Sequence, residues 1–249
     1  MFLRQLFSTR VLAALLDDRR LRNIDRTVFL RFYYHPLAPI SVHASATGIH
    51  DRTYRRAAAR LLEYGWLYIG TRRGPGGAMI LVPWMPPEVE THVANELQRI
   101  RNDVFYVGEW LMKCWLDLLV KEHEVWENAR LPWAVAGDGS GRLEFDRWYP
   151  TWRVAVEFQG SQHFAVGATF STTEEELRQQ QLRDHVKAGV CARHGVTLVE
   201  VRAADLTLDA LQAKLSRALP LIPVQEFGPL FTALSQMSQS YITHAARGR

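Results

Sequence analysis

The sequence predicts a two-part fold of mixed helix and strand: a mainly helical front ending in a short hairpin, then an α/β core around a small mixed sheet. Three observations carry this. Helical spacing of apolar positions in the front part gives way to two short strand-like runs at 66–70 and 78–82. A proline pair, Pro86-Pro87, then punctuates the chain. From residue 106 the pattern runs helix, strand, strand, strand, helix, strand, helix, the alternation of a layered α/β core. Of 249 residues, 47% are hydrophobic and 22% charged, which sets the chain apart from disordered sequences.

The front elements follow in order. Helical patterning covers roughly 4–20 and 25–34. The first of these is broken by Arg4 and Arg10 and has no small-residue cleavage site, so it reads as an amphipathic helix and not a signal peptide. Pro39-Ile40-Ser41-Val42 reads as extended, and a short helix over His43–Thr47 stops at Gly48. A longer helix spans about Asp51 to Tyr64, with His50 or Asp51 placed to cap it. Its Ala57, Leu61 and Leu62 face inward, whereas Arg52, Arg55, Arg56 and Arg60 recur at three- and four-residue spacing, which puts most of them on the outer face. After Gly65 come WLYIG and AMILV, joined by the basic, glycine-rich TRRGPGG. A helix from Glu88 to Arg101 follows the proline pair.

Charge is divided unevenly. Residues 1–85 hold thirteen Arg and no Lys against five Asp and Glu, a net +8; the remainder holds 17 basic and 21 acidic residues, a net −4. The front therefore suits a polyanion, and the rear carries carboxylates for another purpose, such as metal binding. Helix, turn, helix and a hairpin with a basic tip resemble the winged helix-turn-helix of bacterial regulators over roughly residues 25–85, including the apolar LLEYGWLYI run. That resemblance implies DNA as partner. Arg52, Arg55 and Arg56 would serve the major groove, Arg72 and Arg73 the backbone or minor groove, and Arg60 is counted with them as DNA-binding. Winged helices also dock proteins, and the arginines are then only a solvated face.

In the rear part, YVGEWLMKCWLDLLV forms the first helix. LEFDRWYP and WRVAVEFQG are strands separated by a Pro-Thr turn. Residues 174–193 are a helix with Leu182, Val186 and Val190 at four-residue steps, its acidic start favoured by the helix dipole. GVTLVEV is a buried strand, and ADLTLDALQAKLSRAL closes the core as a helix. Trp110, Trp115, Trp126, Trp133, Trp148 and Trp152 read as core and edge packing. No Walker motif occurs, so a P-loop ATPase is not expected.

The chemistry gathers in Asp146, then Glu157-Phe158-Gln159-Gly160-Ser161-Gln162-His163, then Asp184-x-x-Lys187. Glu157 and Gln159 are two apart on a strand and so share a face. Polar groups on an apolar strand are costly unless paired or bound to metal. Carboxylates on adjacent strands suit a hard cation such as Mg²⁺, with Mn²⁺ as a substitute, and a metal with a nearby base is the minimum for phosphodiester hydrolysis.

This constellation resembles the PD-(D/E)XK, or restriction-endonuclease-like, nucleases over roughly residues 105–202, and most nearly the very short patch repair and homing-type branch. The resemblance implies an α/β nuclease core with a mixed sheet, preceded by the mainly helical winged-helix domain. Asp146 and Glu157 take the places of the two acids and metal ligands, while Gln159 stands where a lysine is usual. Glu109 matches an acid often found on the first helix, and His163 approximates a catalytic histidine of that branch. Lys187 could supply the missing cation and His163 the missing base, with Gln159, Asp184 and Lys187 positioning water and phosphate. The expected domains are 1–85, DNA-binding; 86–104, helical linker; 105–219, nuclease; and 220–249, a helical tail docking on the core or on a partner. The expected function is a metal-dependent DNA endonuclease; the alternative is an inactive DNA-binding regulator or assembly subunit that uses the fold as a scaffold. A larger protein or nucleoprotein complex could supply targeting. No apolar run approaches the roughly 18 residues of a membrane span. Two distant cysteines, Cys114 and Cys191, make neither a zinc cluster nor a disulfide framework, and a reduced, cytoplasmic setting is expected.

Overall fold

The computed structural model describes residues 3–36, 38–71, 79–120, 122–135, 141–160 and 185–247. Helices and strands are mixed, and the chain divides into two compact units. One comprises residues 1–104, 116–121 and 221–234; the other comprises 105–115, 122–220 and 235–249.

The first unit opens with α1 (Leu3–Leu6), a π-helical turn (Phe7–Val11) and α2 (Leu12–Asp17). Buried Phe7, Val11 and Leu15 mark its inner stripe at four-residue steps. The Arg26 side chain donates to the carbonyls of Leu15, Leu16 and Asp18, supplying partners that the end of α2 lacks. Helix α3 (Asn23–Tyr34) buries Val28, Phe29, Phe32 and Tyr33. Its third residue, Asp25, reaches back to accept from the Arg22 amide at 2.9 Å.

Helix α4 runs Ile40–Thr47, which corrects the extended reading of Pro39–Val42. Pro39 keeps an extended backbone as N-cap, but the β-branched Ile40 and Val42 are already helical. Burial of His43 and Ala44 against the unit core outweighs their modest strand preference. Gly48 ends the helix at φ +67°, a conformation glycine adopts without steric cost.

Helix α5 (Asp51–Glu63) starts where His50 accepts from the Arg52 amide. It buries Tyr54, Ala57, Ala58 and Leu61. Strands β1 (Leu67–Thr71) and β2 (Met79–Pro83) form an antiparallel pair with Leu67 opposite Pro83. Helix α6 (Pro87–Arg101), expected as a linker, belongs to this unit and buries Val93, Ala94 and Leu97.

In the second unit, α7 (Val107–Leu119) precedes β3 (Trp126–Val135), β4 (Arg142–Tyr149) and β5 (Val154–Gln159). Residues 185–193 are helical (α8) and lead to β6 (Thr197–Arg202). Sheet order is β3-β4-β5-β6; only β5 and β6 are parallel. A parallel pair needs a crossover connection, and α8 lies in it. Val154, Ala155, Val156 and Glu157 are consecutive buried residues, the signature of a strand covered on both faces. One face packs Phe145, Ala155, Leu143 and Trp148 with Val190, Cys191 and Val196. Gly108 on α7 leaves no room for a Cβ against the rings of Phe158 and Tyr241, the latter on α10 (Pro229–Arg247). A 3₁₀ turn (Ala203–Asp205) and α9 (Leu208–Leu215) follow β6. Trp110, Trp115 and Trp148 are buried, whereas Trp126 and Trp152 are about half exposed. Both cysteines are buried, and no disulfide joins them. Among the described residues, no helix is long and apolar enough to cross a membrane.

Candidate functional site

On α5, Arg52, Arg55 and Arg56 are exposed. Arg55 is partly engaged by Asp51, one turn earlier, at 2.7 Å. Arg60 differs: it turns to Asp25, a fully buried carboxylate, and bonds it through both Nε and Nη2. The correction follows from helix geometry, because Arg60 is three residues beyond buried Ala57 and so shares its inner stripe. The basic outer surface of α5 therefore consists of Arg52, Arg55 and Arg56. Arg72 and Arg73 lie outside the described residues.

The carboxylates of the second unit stand on adjacent strands. Arg147 pairs with Val156 and Trp148 with Ala155, so continuing that register brings Asp146 opposite Glu157. Asp146 Oδ2 accepts from the Phe158 amide at 2.7 Å, one residue from Glu157. Glu157 and Gln159 are both 6% exposed. Lys187 on α8 reaches Glu157 Oε2 at 2.7 Å and lies over the Phe145 ring. Glu157 Oε1 and Gln159 Oε1 are buried and have no hydrogen-bond partner among the described residues. The structure therefore brings Asp146, Glu157, Gln159 and Lys187 together. His163 and Asp184 lie outside the described residues.

Burial pushes the Asp146 carboxyl up to about 6; the Glu109 charge adds to the rise, while the Phe158 amide, Lys113 and Lys187 oppose it. Glu157 is pushed up to about 7, again by burial first and then by Asp146, with Lys187 opposing. The two carboxyls repel each other through a poorly solvated space, which favours a shared proton or a shared cation. Glu109 faces this region from α7 but is held by Lys113 at 2.6 Å. Among the described residues, no group of three or more His, Cys, Asp or Glu side chains is arranged to hold a metal ion.

Sequence reasoning missed a polar cluster beside the pair. Lys113 and Arg147 are 0% and 1% exposed. Arg147 bonds Glu127 at 2.5 Å and the Lys113 carbonyl at 3.1 Å; Lys113 bonds Asn128 Oδ1 at 2.8 Å. One signal was available: Glu109 and Lys113 are four apart on an otherwise apolar helix. Glu200 was missed as well. It stands beside Glu157 in the parallel β5–β6 register, which no linear spacing reveals.

Comparison with known proteins gives short matches. The chain is 38% identical over 64 residues to uncharacterized protein 307L of Invertebrate iridescent virus 6, covering 26% of this chain and 32% of that protein. It is 41% identical over 59 residues to uncharacterized protein 033L of Invertebrate iridescent virus 3, covering 24% and 30%. It is 33% identical over 76 residues to uncharacterized protein 094L of Frog virus 3 (isolate Goorha), covering 30% and 49%. The matches thus span about a third to a half of these relatives. No family model and no solved structure matches the chain.

Proposed function

We propose that the chain is a metal-dependent deoxyribonuclease, an endonuclease hydrolysing phosphodiester bonds, whose front unit is a winged-helix DNA-binding domain. The reading rests on one observation: Asp146 and Glu157 meet across neighbouring strands, with Lys187 on one oxygen of Glu157 and the other buried without a hydrogen-bond partner among the described residues. Buried carboxylate and amide oxygens without partners are costly unless something fills the site. Their chemistry fits a hard divalent cation, which prefers oxygen ligands. Asp146 and Glu157 would hold Mg²⁺ or Mn²⁺, with Gln159 Oε1 beside them. Such an ion supplies charge to polarise the phosphate and acidify water.

The remaining work falls to the chain. Lys187 is an ammonium at the place where phosphate charge must be neutralised, and it stands in for the lysine that Gln159 replaces. The Gln159 amide can orient water by hydrogen bonding but cannot take its proton. His163, close in sequence and beyond Gly160, is the candidate base, because its ordinary pKa suits proton transfer near neutrality. Asp184, three residues before Lys187, would position it. On the front unit, Arg52, Arg55 and Arg56 present guanidinium groups to phosphates and guanine edges.

Nicking of plasmid DNA with Mg²⁺ or Mn²⁺ tests the reading. Cleavage by wild type that disappears in Asp146→Ala supports it. A second reading is a DNA-binding scaffold without activity, and the Lys187–Glu157 ion pair favours it, since that pair already neutralises one carboxylate. Equal DNA binding with no cleavage under any metal would establish the scaffold.

A further inference from the structure

We infer that Lys113 is a positioning residue for Asp146 and acts through a backbone kink at Asn128; the inference rests on the metal-site reading above. The pairing of β3 with β4 sets Glu127 opposite Arg147 and Ala129 opposite Phe145, so Asn128 stands opposite Asp146. Asn128 has φ +49°, left-handed backbone in the middle of a strand. Such a residue interrupts the regular alternation of side chains.

The interruption can be seen in the packing. Residues three apart on a regular strand point to opposite faces, yet Phe145 and Trp148 belong to the same core cluster. Facing therefore slips by one across Asp146 and Arg147, directly opposite the kink. Asp146 consequently leaves the alternation, and its carboxylate reaches the Phe158 amide beside Glu157. Arg147 is turned inward onto Glu127 and the Lys113 carbonyl.

Lys113 holds this arrangement. Its ammonium meets Asn128 Oδ1 at 2.8 Å, Glu109 Oε1 at 2.6 Å and Glu127 Oε2 at 3.2 Å, which ties α7 to the kink residue and to the one before it. A fully buried ammonium offers little stability over an apolar side chain of similar size, because desolvation cancels much of its attraction. What an apolar residue could not supply is a grip on the Asn128 side chain. Local irregularities of this kind re-aim side chains beside active sites.

The experiment uses the full chain, with folding checked by circular dichroism, and measures Mn²⁺ affinity by water-proton relaxation together with DNA cleavage. Lys113→Met is expected to weaken Mn²⁺ binding by about 10- to 100-fold, although Asp146 and Glu157 remain, and to reduce cleavage in parallel. Asn128→Ala, which loses both the acceptor and the tolerance of positive φ, is expected to do the same. Asn128→Asp keeps both and is expected to restore the affinity. If Lys113→Met fails to fold, the Asn128→Ala and Asn128→Asp pair decides. Variants that bind Mn²⁺ and cleave like wild type would overturn the positioning role alone. A wild type that neither binds Mn²⁺ nor cleaves would overturn the metal-site reading, and this inference with it.

Discussion

The front and rear units each bury a carboxylate against a cation, and they treat it differently. Asp25 is fully buried, and its oxygens are occupied by two nitrogens of Arg60 and by the Arg22 amide. Glu157 is nearly as buried, but Lys187 occupies one oxygen and the other has no hydrogen-bond partner among the described residues. Asp25 closes a helix N-terminus and ties α3 to α5. Glu157 has its pKa raised by burial first and then by the second carboxylate beside it. A completed ion pair serves the fold; a buried carboxylate held beside a like charge costs stability, which makes it a candidate for chemistry.

Four measurements break or sharpen this contrast. The largest effect is expected in the front unit. Asp25→Asn should destabilise the protein by about 3–5 kcal/mol in chemical denaturation, since it strands Arg60 with a neutral partner. A loss below about 1 kcal/mol would mean that the pair is incidental to the fold. In the rear unit the expected loss is of rate. His163→Ala should cleave about 10²-fold more slowly while still binding DNA, and the wild-type rate should rise with pH through neutrality. A near-normal His163→Ala beside an inactive Lys187→Ala would move the proton-transfer role to α8.

Next in size, replacing Arg55 and Arg56 together with Ala should weaken DNA binding about tenfold or more. It should also flatten the dependence of log K on log salt by roughly two units. An unchanged slope would show that α5 faces a protein. The smallest shift, one of melting temperature, is the most discriminating. Asp146→Asn should abolish cleavage yet raise the melting temperature at pH 8 by about 2–4 °C, the reverse of Asp25→Asn. The sign follows from linkage. Asp146 and Glu157 have folded pKa values raised to about 6 and about 7, so the folded state holds more protons than the unfolded state across this range. Their contribution to stability is present below the ordinary carboxylate range and is lost as pH rises to about 7. Scanning calorimetry from pH 5 to pH 8 should therefore show a steeper decline in melting temperature for wild type than for Asp146→Asn. Equal slopes would mean that the pair is not desolvated.

Much of the element order was legible because periodicity is local. The apolar spacing of α5, the glycine that closes α4 and the short apolar runs of β4 and β5 are each set by neighbours a few residues away. Ile40–Val42 misled for the same reason: β-branched residues read as strand until the burial of His43 and Ala44 is known. Asp146, Glu157 and Lys187 stood out because a charge interrupts an apolar strand or follows a helical step. The partners of those charges did not stand out. Lys113, which the sequence reading did not single out, is fully buried.

By itself, then, the sequence determined most of the described helices and strands, the basic bias of the front part and the choice of oxygen-bearing side chains in the rear. Those properties depend on residue type and on spacing of two to four positions. Only the tertiary structure decided that Arg60 belongs to Asp25 and not to the basic surface of α5, and that Lys187 pairs with Glu157. It also decided that Asn128 bends the strand opposite Asp146. Each of these depends on partners 15 to 35 positions apart, and a buried charge is satisfied by whatever the fold brings within about 3 Å, which local spacing cannot encode.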